Sequence, residues 1–222
     1  MARTIEPEFA GARRRLVETI RAKGINDLAV LRAFEMTPRH LFVPTGLRHR
    51  AYEDSPLPIG SGQTISQPSL HAKYLELLRL SGKEKVLEIG TGSGFQTVLL
   101  AHLVAQVFSV ERIGAVMEQA KLNIDRAGVR NVSLLLGDGT VGWSAYAKYD
   151  AILVGAASPS VPSPLVEQLA EGGRLLIPLG GREDQQELVM FTRQGTELHK
   201  EAIVPVRFVP LLGTYGWKEN GK

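Results

Sequence analysis

The strongest constraint on the fold is the ten-residue segment KVLEIGTGSG at residues 85–94. Its apolar residues Val86, Leu87 and Ile89 predict a short buried strand. Three glycines follow at alternate positions, and a helical segment begins at Phe95. Glycine has no Cβ, so the turn can be tight and a ligand can approach the backbone, while the helix start offers free N–H groups. The segment therefore predicts a nucleotide-type pocket, but it indicates no particular reaction.

Strands and helices alternate along the chain from this segment onward, which is typical of a parallel sheet covered by helices on both faces. An antiparallel hairpin with a turn at Gln194-Gly195 then follows and adds strands at one edge. We predict an α/β fold with a doubly wound, mostly parallel Rossmann-like sheet and antiparallel C-terminal strands. The predicted strands are 85–89, 106–110, 132–136, 150–154, 173–178, 187–192 and 197–208, and the predicted helices among them are 94–104, 113–127 and 162–171.

The first eighty residues have a different pattern. Helical periodicity predicts helices at 9–23, 27–36 and 68–80. Residues 37–66 are rich in Pro, Gly, Ser and Thr without a sustained period, which predicts a long ordered loop or a set of short turns. Loops of this length inside a compact domain are usually functional. We expect residues 1–80 to form a helical extension and a loop that covers substrate and cofactor, packed on a core domain of residues 81–222.

Composition excludes several classes of function. A chain of 222 residues with net charge +3 has the size of one domain with an extension, and it is too weakly basic to indicate a nucleic-acid partner. Cysteine is absent, which excludes disulfides, thiolate metal sites and a cysteine nucleophile, and the five histidines are too widely spaced to predict a metal site. We find no signal-peptide core and no apolar run near the ~18 residues of a membrane span. We expect a cytoplasmic monomer with no membrane partner.

Three ligand classes compete for the glycine turn. A Walker A loop ends in Gly-Lys-Ser/Thr, which is absent here. A dinucleotide fingerprint needs a third glycine where this chain has Phe95. Glu88 stands on the strand two residues before the turn, where a carboxylate can attract an ammonium group or order water around it. This pattern favours a ligand with a cationic amino-acid end, such as S-adenosylmethionine.

Two more acidic residues support this ligand. Glu111 ends the second strand, where a carboxylate can accept hydrogen bonds from ribose hydroxyls. Asp138 ends the third strand, where it can accept from an adenine amino group. A single acid would more simply be a solvated strand end. Three acids in register with the glycine turn favour a cofactor crevice at the carboxyl ends of the strands.

Several further segments are similar to those of a known family. The segments are PRHLFVP at 38–44, YEDSPLPIG at 52–60, IGSGQTISQP at 59–68, DAILVGAASP at 150–159, GGRLLIPLG at 172–180 and VRFVPL at 206–211. The glycine turn and its three acids resemble class I methyltransferases, and these flanking segments resemble the protein-L-isoaspartate O-methyltransferase family from about residue 14 to about residue 213. The Gln-Thr-Ile-Ser segment is specific to this family among methyltransferases, whereas many share the glycine turn.

The resemblance implies a repair enzyme that methylates the α-carboxylate of L-isoaspartyl residues in damaged proteins and peptides, with S-adenosylmethionine as donor and S-adenosylhomocysteine as product. The ester then closes to a succinimide, which opens partly to normal aspartate. Ser66 is implied as the active-site serine. The implied cofactor-binding residues are Gln63, Thr64, Ile65, His71, Glu88, Gly90, Thr91, Gly92, Ser93, Gly94, Glu111, Arg112, Asp138 and Gly139. The implied substrate-binding residues are Ser66, Val154, Gly155, Ala156, Ala157, Val209, Pro210 and Leu211.

The residue types fit methyl transfer to a carboxylate. A carboxylate has a pKa of about 4 and is ionised at pH 7, so no general base is needed. Residues 60–66 offer hydroxyls, an amide and backbone N–H groups, and residues 155–157 offer backbone without bulk. Ser66 is therefore interpreted as a donor that orients the carboxylate, not as a nucleophile, with helix N-cap as its alternative role. Two alternative functions stay open: another class I methyltransferase acting on RNA or a small molecule, and a non-catalytic adenosyl-binding protein.

Overall fold

A seven-stranded mixed sheet forms the centre of the molecule, which a computed structural model describes for residues 7–182 and 185–219. The strand order is β5-β4-β3-β6-β7-β8-β9, with parallel pairing from β5 to β7 and antiparallel pairing from β7 to β9. This confirms the predicted doubly wound sheet with antiparallel C-terminal strands. The strands are β1 Leu57–Gly60, β2 Gln63–Ile65, β3 Lys85–Ile89, β4 Gln106–Glu111, β5 Val132–Leu136, β6 Tyr149–Val154, β7 Leu169–Gly180, β8 Gln186–Gln194 and β9 Glu197–Val206.

In the part of the chain that the structure describes, six α-helices pack around the sheet. They are α1 Ala10–Ala22, α2 Leu28–Met36, α3 Pro68–Leu78, α4 Phe95–Ala101, α5 Gly114–Ala127 and α6 Ser163–Gln168. Their ends follow local chemistry: Asp27 accepts hydrogen bonds from the first N–H groups of α2, and α5 ends at Gly128 with φ +72°. Within residues 7–182 and 185–219, no helix is long and apolar enough to cross a membrane.

The apolar side chains form two clusters, one on each face of the sheet. Neighbouring residues of a strand point to opposite faces, so Val86 joins one cluster and Leu87 joins the other. The Val86 face is covered by residues of α1 to α5, and the Leu87 face by α6 and by side chains near Trp143. The N-terminal helices therefore pack on the same core as the strands that carry the glycine turn.

The segment of residues 37–66 is an ordered connection with structure of its own. It contains two 3₁₀ turns, Arg39–Phe42 and Thr45–Arg50, followed by the antiparallel pair of β1 and β2. The turn between these strands uses positive φ at Ser61 (51°) and Gly62 (68°). The prediction of short turns is confirmed, but the hairpin was not predicted because strands of four and three residues are too short to show a period.

The predicted boundary between the last helix and the strand that follows it is wrong. The helix predicted at 162–171 ends at Gln168, and β7 begins at Leu169. Leu169 is fully buried and pairs with Tyr149 of β6, so tertiary pairing overrides the local helical pattern. Gly172, the residue after the predicted helix, lies with φ +69° in an irregular part of β7 between its pairs with Tyr149 and Ala151.

Candidate functional site

The candidate site is a crevice at the carboxyl ends of the parallel strands. It opens above β3, which pairs with β4 on one side and with β6 on the other, so it lies where the strand order reverses. We call its two parts the deep cavity and the outer hollow. The deep cavity is lined by residues 63–66, His71, Tyr74, Glu88, 90–93, Phe95, Gln96, Leu153, Gly155 and 207–209. The outer hollow is lined by Gln63, Ile89, Gly90, residues 110–113, Gly139, Gly155, Ala156 and residues 209–212.

The glycine turn has a backbone that only glycine adopts readily. Gly90, Gly92 and Gly94 have φ values of +93°, +57° and +85°. A Cβ on Gly94 would lie 2.9 Å from Cγ1 of Ile124 on α5, so glycine is also required for space there. The N–H of Gly92 donates to Oε2 of Glu111 at 3.0 Å. The turn is thus fixed between β3, β4 and α5, with the start of α4 beside it.

Glu111 both holds the turn and faces the outer hollow. It is nearly buried, and its Oε1 accepts hydrogen bonds from the N–H groups of Arg112 and Ile113 at 2.8 and 2.9 Å. Among the described residues, its Oε2 accepts from the Gly92 N–H alone, so a lone pair remains for a ligand hydroxyl. The exposed side chain of Arg112 forms an ion pair with Glu219 at 2.7 Å. The guanidinium of Arg112 thus points to Glu219, and the part of Arg112 that lines the outer hollow lies near its backbone, next to the carboxylate of Glu111.

Both carboxylate oxygens of Asp138 accept hydrogen bonds within the protein. Its Oδ1 accepts from the N–H and Oγ1 of Thr140, at 2.8 and 2.6 Å, and its Oδ2 accepts from the N–H of Thr214 at 2.7 Å. Partial burial opposes ionisation, but these hydrogen bonds prevail and lower the pKa of Asp138 below its ordinary value. Gly139, not Asp138, lines the outer hollow. Asp138 thus ties the C-terminal segment to the rim of the crevice.

Four buried polar atoms in residues lining the deep cavity have no hydrogen-bond partner among the described residues. They are Nε2 of His71, Oη of Tyr74, Oε1 of Glu88 and Nε2 of Gln96. A buried polar atom without a partner costs about 1–3 kcal/mol, and such atoms are rare in native proteins. Four of them around one cavity indicate a polar ligand that supplies the missing bonds.

Glu88 is the acidic group of this cavity. Its Oε2 accepts from the hydroxyls of Thr97 and Ser109, at 2.5 and 2.6 Å, which leaves Oε1 for a ligand. Burial raises the pKa of Glu88 to about 7 despite these two bonds, and the nearby Glu111 adds to the rise. An ammonium group bound at Oε1 would favour the ionised form.

His71 is a neutral acceptor. Burial lowers its pKa to about 3, and the Arg39 guanidinium adds to this effect. Its Nδ1 is hydrogen-bonded to Oε1 of Gln96, an oxygen that can only accept. Nδ1 therefore carries the ring proton, and the unpartnered Nε2 is an acceptor.

The deep cavity thus offers two acceptors and two donors. The acceptors are Glu88 Oε1 and His71 Nε2, and the donors are Gln96 Nε2 and Tyr74 Oη. An α-amino acid group carries an ammonium that donates and a carboxylate that accepts. The residues present therefore fit the amino-acid end of S-adenosylmethionine, the ligand that the sequence predicts.

Ser66 is held at the mouth of the cavity by a buried arginine. Arg39 is fully buried, and its Nη2 donates to the carbonyl oxygens of Ser55 and Ser66, both at 3.1 Å. Its Nη1 donates to the carbonyls of Ala51 and Glu53, at 2.6 and 3.3 Å. Burial lowers the pKa of Arg39 to about 10, so it is charged at pH 7. One guanidinium thus joins residues 51–55 to the predicted active-site serine.

Ser66 is not the cap of α3, which was its alternative role. The helix begins at Pro68 after Gln67, and the N–H of Ser69 donates to Oδ1 of Asp54 at 2.8 Å. Oδ2 of Asp54 accepts from the side chain of Gln67 at 3.0 Å. The capping hypothesis is therefore wrong, because Asp54 from the preceding loop takes that role.

Most of the other predicted site residues line the crevice. The deep cavity includes Gln63, Thr64, Ile65, Ser66, Thr91, Gly92, Ser93, Gly155 and Val209, and the outer hollow includes Ala156, Pro210 and Leu211. Val154 and Ala157 line neither part. Val154 is fully buried in the core, and Ala157 exchanges backbone hydrogen bonds with Val209 and Leu211, at 2.8 and 2.7 Å, which fixes the segment that forms the outer wall. Nowhere in residues 7–182 and 185–219 do three His, Asp or Glu side chains form a possible metal site.

Sequence reasoning missed four residues that build the site: Arg39, Tyr74, Gln96 and Phe208. A usable signal existed for Tyr74, since it stands three residues after His71 on a predicted helix and so shares its face. Gln96 stands in the first turn of α4 directly after the glycine turn. Arg39 gave no signal of its own, because its four acceptors are backbone carbonyls.

Comparison with known proteins gives consistent results along the whole chain. A family model described as Protein-L-isoaspartate(D-aspartate) O-methyltransferase matches residues 12–216. A protein-L-isoaspartate O-methyltransferase of Dictyoglomus thermophilum is 50% identical over 213 residues, 96% of this chain and 96% of the relative. One of Methanoregula boonei is 51% identical over 207 residues, 93% of this chain and 95% of the relative.

Solved structures agree with these sequence relatives. A protein-L-isoaspartate O-methyltransferase with 31% identity aligns with a TM-score of 0.84 over 92% of this chain and 67% of that chain. Another such enzyme, from Plasmodium falciparum in complex with S-adenosyl-L-homocysteine, has 27% identity and a TM-score of 0.79 over 90% of this chain and 98% of its own.

Proposed function

Because the chain belongs to the protein-L-isoaspartate(D-aspartate) O-methyltransferase family, we propose that its crevice transfers a methyl group from S-adenosylmethionine to the α-carboxylate of L-isoaspartyl residues in damaged proteins and peptides. The protein is a methyltransferase that depends on S-adenosylmethionine and releases S-adenosylhomocysteine. The observation that carries this proposal is the set of two acceptors and two donors in the deep cavity, next to Ser66 and Gly155.

S-adenosylmethionine would be held by residues of α3, β3, β4 and the turn after β5. Glu88 and His71 would accept from its ammonium, and Oε2 of Glu111 would accept from a ribose hydroxyl in the outer hollow. Gly139 would give the adenine end a wall without side-chain bulk. When bound, S-adenosylmethionine supplies a methyl group on a sulfonium sulfur, which a carboxylate oxygen can attack in line.

The acceptor carboxylate is oriented by donors and needs no base. A carboxylate is ionised at pH 7, and the one imidazole in the deep cavity, His71, is neutral and bound to Gln96. The hydroxyl of Ser66 and the backbone at Gly155 and Ala156 position the carboxylate on the side of the crevice near β6. Well-oriented attack alone can supply roughly 7–11 kcal/mol of the barrier.

This cavity suits a carboxylate better than an amine. An amine acceptor must lose a proton, and a pocket for it needs a base near the reacting atoms. Here the acidic group, Glu88, lies on the floor of the deep cavity with one oxygen bound to two hydroxyls. The residues at the mouth, 63–66, carry hydroxyls, an amide and backbone N–H groups.

A labelling assay with paired peptides tests the function. The peptides are identical except that one position holds either L-isoaspartyl or normal aspartyl, and the donor carries a labelled methyl group. We expect base-labile label on the isoaspartyl peptide alone. Label on an RNA or small-molecule acceptor instead, or cofactor binding without any transfer, would contradict the proposal.

We also propose that the enzyme acts as a cytoplasmic monomer. Light scattering of the purified protein and fractionation of cells test the two parts of this proposal separately.

A further inference from the structure

Tyr74 is a buried tyrosine with an unused hydroxyl. It stands on α3 three residues after His71 and is only 2% exposed. Its ring stacks on Phe208 with centroids 5.9 Å apart, and both rings line the deep cavity. Its hydroxyl has no partner among the residues that the structure describes. Burial raises its pKa well above the ordinary value, so the hydroxyl stays protonated and available as a donor.

The deep cavity needs such a donor because it contains no buried cation. Of its described lining residues, Arg207 alone is cationic, and it is exposed to solvent. His71 is neutral, and the guanidinium of Arg39 is bound to backbone carbonyls. A carboxylate that enters this cavity must therefore be neutralised by uncharged donors. Hydrogen bonds to charged groups are the stronger ones, at about 1.5–3 kcal/mol each.

We propose that Tyr74 is a carboxylate-binding residue whose hydroxyl, together with the side-chain amide of Gln96, donates to a carboxylate held in the deep cavity. The inference rests on the proposed function, which brings two carboxylates to this crevice: that of the cofactor's amino-acid end and that of the isoaspartyl acceptor. Tyr74 is next to residues predicted to bind each of them, since His71 shares its helix face and Phe208, on which its ring stacks, precedes the predicted substrate segment at Val209.

The substitution Tyr74→Phe tests this role, because it removes the hydroxyl and keeps the ring that stacks on Phe208. Removing a buried hydroxyl without a partner leaves the melting temperature of the free protein unchanged or raises it. The lost bond to a charged group lowers about 10- to 100-fold either the affinity for S-adenosylhomocysteine or kcat/KM for an isoaspartyl peptide, according to which carboxylate Tyr74 binds. Two measurements tell the carboxylates apart. If Tyr74 binds the cofactor's carboxylate, calorimetry shows weaker binding of S-adenosylhomocysteine. If it binds the isoaspartyl carboxylate, the KM for the peptide rises instead.

Tyr149→Phe is the matched control. The hydroxyl of Tyr149 donates to the carbonyl of Trp143 at 2.6 Å on the opposite face of the sheet, so its loss lowers the melting temperature and leaves both affinities unchanged. The proposal is overturned if Tyr74→Phe stays within twofold of the wild type in both assays, or if its losses come with a melting temperature as low as that of Tyr149→Phe. Should the wild type fail to methylate isoaspartyl peptides, the proposed function fails, and binding of S-adenosylhomocysteine still tests Tyr74 by itself.

Discussion

Glu88 couples cofactor binding to pH through its burial. Its pKa is raised to about 7 in the free protein, because burial outweighs the hydrogen bonds from Ser109 and Thr97. A raised native pKa for an acid means that the folded protein binds more protons than the unfolded chain between pH about 4.5 and about 7. In that window, Glu88 makes the free protein less stable as pH rises.

The affinity for the cofactor changes with pH in the opposite direction to the stability of the free protein. Binding an ammonium at Oε1 requires ionised Glu88, so we expect the affinity for S-adenosylhomocysteine to rise with pH up to about 7 and then level off, with a slope approaching tenfold per unit below this pKa. His71, whose pKa burial lowers to about 3, stays neutral throughout. Calorimetry across this range measures the slope, and Glu88→Gln should remove it. A slope that persists in the variant would assign the titration to another group.

Ser66→Ala separates chemistry from folding. Since Asp54 rather than Ser66 caps α3, the substitution should leave the free energy of unfolding unchanged. Loss of a donor to the acceptor carboxylate should lower turnover about tenfold or more, with little effect on S-adenosylhomocysteine affinity. Steady-state kinetics with an isoaspartyl peptide measure the effect. If Ser66→Ala keeps the turnover of the wild type, the hydroxyl has no role in catalysis, and Ser66 contributes only its backbone carbonyl, which accepts a hydrogen bond from Arg39.

At the scale of elements, the glycine turn depends on its packing between two helices. Gly94→Ala would place a methyl group 2.9 Å from Ile124 at a φ of +85°. We expect destabilisation of about 1–3 kcal/mol and weaker cofactor binding, both measurable by thermal melts with and without S-adenosylhomocysteine. Gly46→Ala is the control, because nothing lies within 4 Å of an added Cβ there. Equal melts for the two variants would contradict the strain at Gly94.

The connection from α2 to α3 is held in place by Arg39, which donates to four of its backbone carbonyls. Lysine keeps the charge but lacks the fork, so Arg39→Lys should leave some of the four carbonyls unpaired and cost about 1–3 kcal/mol in urea unfolding. Turnover should fall as well, because Ser66 loses its anchor. Arg50→Lys, in an exposed pair with Glu53, should change neither quantity. Lost stability with unchanged turnover would make Arg39 purely structural.

Most of the strands and helices could be predicted from the sequence, and a few could not. Alternating strands and helices, the glycine turn and the three acids follow from periodicity and from the chemistry of glycine, and the structure has these strands in the predicted places. The hairpin of β1 and β2 could not be predicted, since strands of four and three residues are too short to show a period. The early end of α6 could not be predicted either, since it depends on the pairing of Leu169 with Tyr149, a partner distant in sequence. For the same reason the bond from Thr214 to Asp138 was not foreseen.

At the scale of the whole molecule, the crevice is built by both halves of the chain. Residues 63–66 and α3 line it together with Gly155 and residues 207–211, which follow the ends of β6 and β9. The helices α1 to α4 share one apolar cluster with the sheet, so the loop that carries Ser66 is supported by the main core. The methyl donor and acceptor are thus expected to meet in a crevice of one folded unit.

The most direct test of the central claim follows a single isoaspartyl peptide during incubation with the protein and S-adenosylmethionine. Chromatography separates the isoaspartyl, succinimide and normal aspartyl forms. We predict that the isoaspartyl form decreases, that the succinimide appears transiently, and that normal aspartyl peptide accumulates while S-adenosylhomocysteine forms. An isoaspartyl peptide that stays unchanged under conditions where the protein binds S-adenosylhomocysteine would contradict the claim.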